Sequence, residues 1–284
     1  MKLKIIGSGG CTCIPRPLCR CAVCEEAREK GKPFARNGCS LFIEDIHALI
    51  DTPEDIVEAL NYNRIDQLDY VLYSHWDPDH TRGMRVFEQL RVDWLNVSIG
   101  IENDTPILVH ALPQVCNDIS AIKNKFGSNL EYYQKERNLI KLIPAESAVI
   151  IAGMQITFVP VILHEACATV FVFEQNDQKV LYAPCDVKPF PSNEIFANSD
   201  LLIIGNTVPV DIVKGGFHIK EDNPFKEELF TMKEIVALKE IYNVKKVIVT
   251  HLEEIWGLSY ADYEEISKLY DGIGFAFDGM SIEL

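Results

Sequence analysis

The stretch Ser74-His75-Trp76-Asp77-Pro78-Asp79-His80 follows a short apolar run that is typical of a β-strand. His75 and Asp77 are two residues apart, so their side chains leave the same side of an extended chain. Asp79 and His80 stand at the start of a predicted helix. Imidazole nitrogens and carboxylate oxygens both suit Zn, Mn or Fe. The stretch therefore predicts a metal site, with a chance cluster of polar surface residues as the alternative.

Three distant His and Asp residues also stand just after apolar runs that are typical of strands. They are His164, Asp186 and His251. Packed sheets bring strand ends onto one rim, where separate loops converge. Each residue alone would more often be a structural histidine or a turn residue, but their shared placement favours one common site.

Strand and helix patterns alternate along the chain, and strands dominate its middle. No internal repeat, low-complexity tract or linker is evident, so residues 1–284 are expected to form one α/β domain in which helices flank a central pair of sheets. Residues 91–105 and 205–224 are predicted to be irregular. The predicted strands span residues 3–6, 40–43, 47–50, 70–73, 107–110, 140–143, 148–151, 155–163, 170–174, 179–183, 201–204 and 246–250, and the predicted helices span residues 53–60, 81–90, 113–126 and 232–242.

The formal net charge of -15 argues against a broad footprint on double-stranded nucleic acid, which usually requires clustered Lys and Arg. A small anionic substrate remains compatible, because bound metal ions would supply the local positive charge. The start of the chain shows no long apolar signal region, and no later run is long enough to span a membrane. We therefore expect a cytoplasmic protein without a membrane partner, and the sequence is compatible with a homodimer.

Five of the nine cysteines lie before residue 25, within a Cys-rich loop at residues 11–24. In a chain that is predicted to be cytoplasmic, such clustering favours metal binding over disulfides. Cys19, Cys21 and Cys24 are spaced closely enough to wrap one tetrahedral ion. Free thiols are the alternative.

The order of these motifs resembles the metallo-β-lactamase superfamily, whose signature is His-x-His-x-Asp-His followed by a distant His, a distant Asp and a last His. The resemblance extends over nearly the whole chain and implies an αβ/βα four-layer sandwich of two mixed sheets. It also implies a dinuclear centre with His75, Asp77 and His164 on one ion, Asp79, His80 and His251 on the other, and Asp186 bridging them.

Asp51 matches the acidic residue with which the superfamily supports a metal ligand from behind. Its alternative role is the N-cap of the helix that follows. Asp77 departs from the signature, because it stands where the second His is expected; a similar variant is found in competence-type members. The added carboxylate makes the first site harder, which favours Mn or Fe over Zn.

The opening Gly7-Ser8-Gly9-Gly10 and the three closely spaced cysteines resemble a subfamily that contains a phosphoribosyl cyclic phosphodiesterase and the pyrroloquinoline-quinone biosynthesis protein B. The resemblance implies that Cys19, Cys21 and Cys24 hold a structural zinc. The subfamily's fourth ligand is typically a His three residues after the last catalytic His, but that position here is Glu254. Glu254 is one candidate for this ligand, and the alternatives are Cys11, Cys13 and Cys39.

The resemblance implies hydrolysis of a small phosphodiester, such as a cyclic ribose phosphate, by a metal-bridging hydroxide. Asp79 and Asp186 are the predicted catalytic carboxylates. The general-acid His of phosphodiesterase relatives has no counterpart before the last long helix, and His218 on the preceding loop is the remaining candidate, with an exposed loop residue as the alternative. Hydrolysis of a lactone or thioester, and a metal-binding accessory role in cofactor biosynthesis, are the alternative functions.

Overall fold

Two seven-stranded mixed sheets form the body of the protein. The computed structural model describes residues 1–163 and 166–284. The strands of the two sheets are, in chain order, β1 (Lys2–Gly7), β2 (Ser40–Ile43), β3 (Ala48–Ile50), β4 (Tyr70–Leu72), β5 (Ile107–Ala111), β6 (Ile140–Pro144), β7 (Ala148–Ile151), β8 (Met154–Leu163), β9 (Ala166–Gln175), β10 (Gln178–Ala183), β11 (Leu201–Ile204), β12 (Lys246–Val249), β13 (Ile273–Phe275) and β14 (Met280–Glu283).

Each sheet has an antiparallel part and a parallel part. The first sheet has the order β14-β1-β2-β3-β4-β5-β6, and the second has the order β13-β12-β11-β10-β9-β8-β7. Strands β3 to β6 run parallel in the first sheet, and β10 to β13 run parallel in the second. Because parallel strands end at the same edge of their sheet, the residues that follow β3, β4, β10, β11 and β12 can share one site.

In the described residues, ten α-helices surround the sheets. They are α1 (Ala22–Lys30), α2 (Ile56–Tyr62), α3 (Pro78–Thr81), α4 (Val86–Arg91), α5 (Trp94–Ser98), α6 (Pro113–Ser120), α7 (Asn129–Glu131), α8 (Phe225–Glu228), α9 (Met232–Ile241) and α10 (Tyr260–Ser267). The start of α9 is fixed by a capping box between Thr231 and Glu234, and that of α10 by one between Ser259 and Asp262. None of the helices in the described residues is both long and apolar enough to cross a membrane.

The second sheet is buried on both faces. In β10, Val180 and Tyr182 belong to the core that is shared with the first sheet, whereas Leu181 and Ala183 belong to the core that includes residues of α9 and α10. This alternation follows from the two-residue period of a strand. It explains why the parallel strands of this sheet read as continuous apolar runs.

The predicted strands are confirmed to within a few residues, but several helix boundaries are wrong. The predicted helix at residues 113–126 ends at Ser120, and a short hairpin of Lys123–Asn124 with Gly127–Ser128 follows. The hairpin needs the turn that Asn124 makes when its side chain accepts from the main-chain N–H of Phe126.

Five helices and two strands of the large sheets lie where none was predicted: α1, α5, α7, α8, α10, β13 and β14. Helix α5 lies inside the stretch predicted to be irregular, and Asp93 caps it by accepting from the N–H groups of Leu95 and Asn96. Helix α1 begins inside the Cys-rich loop. Its packing rests on a small satellite core that includes Ile14 and Val23 rather than on a clear apolar periodicity.

Candidate metal centre

Four residues at the ends of the parallel strands have left-handed backbone conformations. The φ angles are 64° at Asp51 after β3, 52° at Asp186 after β10, 49° at Asn206 after β11 and 54° at His251 after β12. Such conformations cost free energy for residues other than glycine, and they cluster at functional sites. The four residues thus share one backbone conformation at the same edge of the fold.

Gly205 permits two of these strand ends to approach each other. A Cβ atom at this position would lie 1.7 Å from the main-chain oxygen of Pro184 and 2.8 Å from the Cβ atom of His251. Only a residue without a side chain fits there. The close approach of β10 and β12 at the site therefore depends on glycine at this position.

Asp51 is fully buried behind the histidines. Its carboxylate accepts from the main-chain N–H of Ser74 at 2.8 Å, from the Ser74 hydroxyl at 2.6 Å and from Nδ1 of His80 at 2.8 Å. The residue at the N-cap position of α2 is Asp55, so the N-cap interpretation of Asp51 is wrong. The structure instead places Asp51 where it can orient a ligand from behind.

This network also determines which ring nitrogens face the site. Because the single hydroxyl proton of Ser74 goes to Asp51, its oxygen accepts from Nδ1–H of His75, which lies 2.8 Å away. Both His75 and His80 therefore present Nε2 to the site. Nε2 of His75 is buried and has no hydrogen-bond partner among the described residues, which is the arrangement expected of a metal ligand.

One ligand group consists of Asp79, His80 and His251, whose donor atoms all lie within 4.8 Å of one another. An oxygen of Asp79 lies 3.5 Å from Nε2 of His80 and 3.3 Å from Nε2 of His251, and the two ring nitrogens are 3.3 Å apart. On the other side of its ring, Nδ1 of His251 lies 3.3 Å from a carboxylate oxygen of Glu253. The group offers two nitrogens and one oxygen to one ion.

A second group consists of His75, Asp77 and Asp186. Nε2 of His75 lies 3.7 Å from an oxygen of Asp77. Burial and the negative charges of Asp186 and Asp79 raise the pKa of Asp77 to about 6. Carboxylates gathered in this way repel one another unless a cation lies between them, so the chemistry of the donor set fits a divalent metal ion.

The electrostatics around His80 and His251 also favour positive charge. Burial alone would lower the pKa of His80, but the charge and hydrogen bond of Asp51 raise it well above its ordinary value. The pKa of His251 is likewise raised against the effect of burial, by Cys185 and by the carboxylates of Asp79 and Glu253. A proton or a metal ion at these nitrogens is therefore stabilised by the surrounding carboxylates.

Two further residues belong to the predicted site. His164 lies outside the described residues. His218 is exposed on a small hairpin that pairs Ile212–Val213 with Phe217–His218. Its role as the general acid stays a prediction.

Sequence reasoning missed four residues of the site. Ser74 and Glu253 contact the rings of His75 and His251, and Asn206 contacts Cys185, whose sulfur lies within 4.8 Å of ring nitrogens of His75 and His80. Cys185 directly precedes Asp186 at the end of a predicted strand, so the rule that found Asp186 also applies to Cys185.

The Cys-rich loop forms a separate group with Glu254. Oε1 of Glu254, which is fully buried, lies 3.2 Å from the sulfur of Cys19, 3.2 Å from that of Cys21 and 3.4 Å from that of Cys24. Three thiols and one carboxylate match the donors and the number of ligands of a tetrahedral structural zinc. The structure thus brings Glu254, rather than one of the other cysteines considered, to these three thiols.

Lys214 adds a positive charge at the edge of this group, since its Nζ contacts Glu254 and lies 3.2 Å from the sulfur of Cys19. Although burial raises the pKa of Glu254, Lys214 and the three thiols lower it to about 2. Three thiolates and a carboxylate on one dication carry a net negative charge, which Lys214 would partly offset.

Two stacked mixed sheets with His and carboxylate ligands at one edge define a protein of the metallo-β-lactamase fold, as the resemblance predicted. Residues 47–252 match the model of the Beta-lactamase superfamily domain, which is well over half of the 284 residues. The chain belongs to the β-lactamase superfamily, whose members are mostly metal-dependent hydrolases.

Three crystal structures illustrate the likeness in fold. A diphosphatase of the PhnP family is 20% identical, with a TM-score of 0.72 and coverage of 100% of this chain and 96% of that chain. Zn²⁺-bound PqqB from Methylobacterium extorquens is 17% identical, with a TM-score of 0.73 and full coverage of both chains. The short form of human tRNase Z is 13% identical, with a TM-score of 0.62 and coverage of 100% and 99%. Among curated protein sequences, none matches the chain.

Proposed function

We propose that the protein is a metal-dependent phosphodiesterase that acts on a small phosphodiester at a dinuclear centre. The observation that carries the proposal is the pair of ligand groups at one edge of the fold, one around His75 and one around His80. The ring nitrogens of both residues are aimed into the same site by Asp51 and Ser74. His164 completes the proposed ligand set, on the basis of sequence alone.

If divalent ions are held by these two groups, they would supply positive charge for phosphoryl oxygens and would acidify a water molecule. The chain's own contribution is to hold the ligands in place before substrate binds. Asp51 keeps the proton of His80 on Nδ1, and Glu253 lies against Nδ1 of His251. His218 is the proposed donor of a proton to the leaving alkoxide.

Two proteins of similar structure support a phosphate substrate. A diphosphatase and a tRNase both act on phosphate linkages, and both match this chain over its full length. The net charge of -15 makes a small anionic substrate more compatible than a long nucleic acid. A cyclic ribose phosphate is the first compound to test.

The test uses the whole chain loaded with Zn, Mn or Fe and assayed on bis(p-nitrophenyl) phosphate, on a lactone and on a thioester. We expect phosphodiester cleavage in the wild type and its loss in His80→Ala, with an unchanged circular dichroism spectrum. His47→Ala is the control, since His47 is a surface residue that pairs with Asp69 at 3.1 Å. Near-normal turnover in His80→Ala, or turnover only of the lactone or thioester, would contradict the proposal.

The similarity to Zn²⁺-bound PqqB favours a second candidate, a metal-binding accessory protein of cofactor biosynthesis. Metal stoichiometry separates the two functions. Ions at the dinuclear centre together with phosphodiester cleavage support the hydrolase. A single zinc at the Cys-rich loop without turnover supports the accessory role.

We further propose that Cys19, Cys21, Cys24 and Glu254 hold one structural zinc. The arrangement of three thiols around one buried carboxylate oxygen supports this assignment. A metal ion here would order a loop whose own apolar core is small.

A further inference from the structure

Cys185 lies at the C-terminal end of β10, one residue before Asp186, and only 5% of its surface is exposed. Its sulfur lies within 4.8 Å of ring nitrogens of both His75 and His80. The sulfur of Cys185 thus lies near one histidine of each ligand group.

Asp186 has a narrower set of neighbours. Its carboxylate groups with His75 and Asp77, and Oδ1 lies 3.8 Å from the sulfur of Cys185. The groups found among residues 1–163 and 166–284 place it with neither His80 nor His251. Of the two adjacent residues, the cysteine occupies the more central position.

A hydrogen-bond donor is directed at the same sulfur. Nδ2 of Asn206 donates to Cys185 at 3.2 Å and lies 3.5 Å from Asp186. The sulfur of Cys185 therefore accepts a hydrogen bond here, as a metal-bound sulfur can. Asn206 is itself held in a left-handed conformation at the end of β11.

Two other buried cysteines, Cys116 and Cys167, have the surroundings of inert structural residues. Cys116 is also 5% exposed, but it donates to the main-chain oxygen of Ala111. Cys167 donates in the same way to Ala168. Cys185 instead lies within 4.8 Å of a ring nitrogen of His75 and of one of His80.

We propose that the thiolate of Cys185 is a metal ligand shared by the two ligand groups, in the bridging position that the sequence resemblance assigns to Asp186. This inference rests on the dinuclear centre of the proposed function. A soft thiolate favours Zn and Fe over Mn. It therefore acts against the hardening effect of Asp77, and we expect the centre to prefer zinc.

The test is cobalt substitution of the full chain, with absorption in the near ultraviolet and bound cobalt measured on the same samples. A thiolate bound to cobalt gives a charge-transfer band, so Cys185→Ser should lose part of the band that the wild type shows. Thiolates of the Cys-rich loop contribute equally to both proteins and cancel in the difference. Cys116→Ser, with the same burial, should keep the full band.

A second measurement replaces the soft thiolate at position 185 with a hard carboxylate. Cys185→Asp should shift competitive loading from zinc towards manganese, whereas Cys116→Ser should not. X-ray absorption of the zinc-loaded wild type should show more sulfur ligands than the Cys-rich loop alone supplies, and this result does not depend on how a variant folds.

Two failures are distinguishable. An unchanged charge-transfer band in Cys185→Ser, with cobalt still bound at the dinuclear centre, overturns the role of Cys185 alone. Wild-type protein that binds cobalt only at the Cys-rich loop overturns the dinuclear centre, and with it the proposed function. A loss of band in Cys185→Ser but not in Cys116→Ser supports the assignment.

Discussion

Asp51 shows how one carboxylate organises the site at the scale of single residues. It is fully buried, and it accepts three hydrogen bonds: two from Ser74 and one from His80. Through the Ser74 hydroxyl it also determines the tautomer of His75. One acidic residue thereby directs Nε2 of two histidines into the site.

Replacing Asp51 with Asn should weaken metal binding at the dinuclear centre by about 10- to 100-fold. The Asn side chain would replace one acceptor oxygen with an NH₂ group. At least one of the present donors, which belong to Ser74 and His80, would therefore lose its acceptor. Competition with a chromophoric chelator measures the affinity. Asp55→Asn is the matched control, because Asp55 accepts from Gly38 outside the site; equal metal affinity in Asp51→Asn and the wild type would show that Asp51 plays no supporting role.

The predicted acid His218 has a distinct kinetic signature. His218→Ala should lower kcat by about 100-fold or more for an alkyl phosphodiester, because the leaving alkoxide needs a proton. The loss should be much smaller for bis(p-nitrophenyl) phosphate, whose leaving group is stable as an anion. Metal content should not change, since His218 is exposed and in none of the ligand groups of the described residues. An equal loss on both substrates would argue against proton donation.

At the scale of elements, the parallel strands β10, β11 and β12 deliver Cys185, Asn206 and His251 to one edge. Their ends approach closely only because Gly205 carries no side chain. A similar approach joins the two sheets, where Gly10 donates to Leu252 and Leu252 donates to Ser8. A Cβ atom at Gly10 would lie 2.0 Å from an oxygen of Glu253. Both glycines thus serve the placement of His251 and its neighbours.

Gly205→Ala should destabilise the fold by about 1 to 3 kcal/mol, the range typical of overpacking. The added methyl group would meet the main-chain oxygen of Pro184, which cannot move without shifting β10. Urea denaturation followed by fluorescence measures the free energy of unfolding. Gly274→Ala is the control, because a Cβ atom there meets nothing within 4 Å; a similar loss in both variants would show that the clash is not the cause.

At the scale of the whole molecule, two consecutive residues connect the two proposed metal sites. Glu253 lies against His251 of the dinuclear centre and accepts from the main-chain N–H of Cys11, while Glu254 is surrounded by the three thiols of the loop. Lys214 ties the loop that follows β11 to the same place. The Cys-rich loop therefore packs behind His251, the last of the proposed metal ligands.

Cys19→Ser should lower both the zinc content and the Tm of the zinc-loaded protein. The lost thiolate weakens a site that orders a loop with little apolar core, so metal binding there contributes to folding. Zinc analysis and differential scanning fluorimetry, with and without a chelator, provide the measurements. Cys167→Ser is the control, as this thiol donates to a main-chain oxygen; an unchanged Tm and zinc content in Cys19→Ser would exclude a structural zinc.

Much of the fold and part of the site can be predicted from the sequence. Strand patterns are local, because side chains alternate along a strand and buried parallel strands are continuously apolar, as in β10 and β11. Proposed ligands such as His75, Asp79 and His251 stand at the ends of these patterns, so their convergence at one rim follows from the order of elements. Helices such as α1 and α5 escaped prediction, because caps and small satellite contacts determine them rather than a strong apolar period.

The sequence alone determined the metallo-β-lactamase fold, through the stretch from Ser74 to His80 and the residues at the other strand ends. The types of the candidate ligands and the order of the elements can both be read directly from the sequence. Only the tertiary structure decided that Cys185 lies among the histidines and that Glu253 lies against His251. It also decided that Glu254 meets three thiols more than 200 residues earlier in the chain. These contacts join segments that are distant in the sequence. Their distances depend on how closely the two sheets pack and on the close approaches at Gly10 and Gly205. No local sequence pattern encodes these distances.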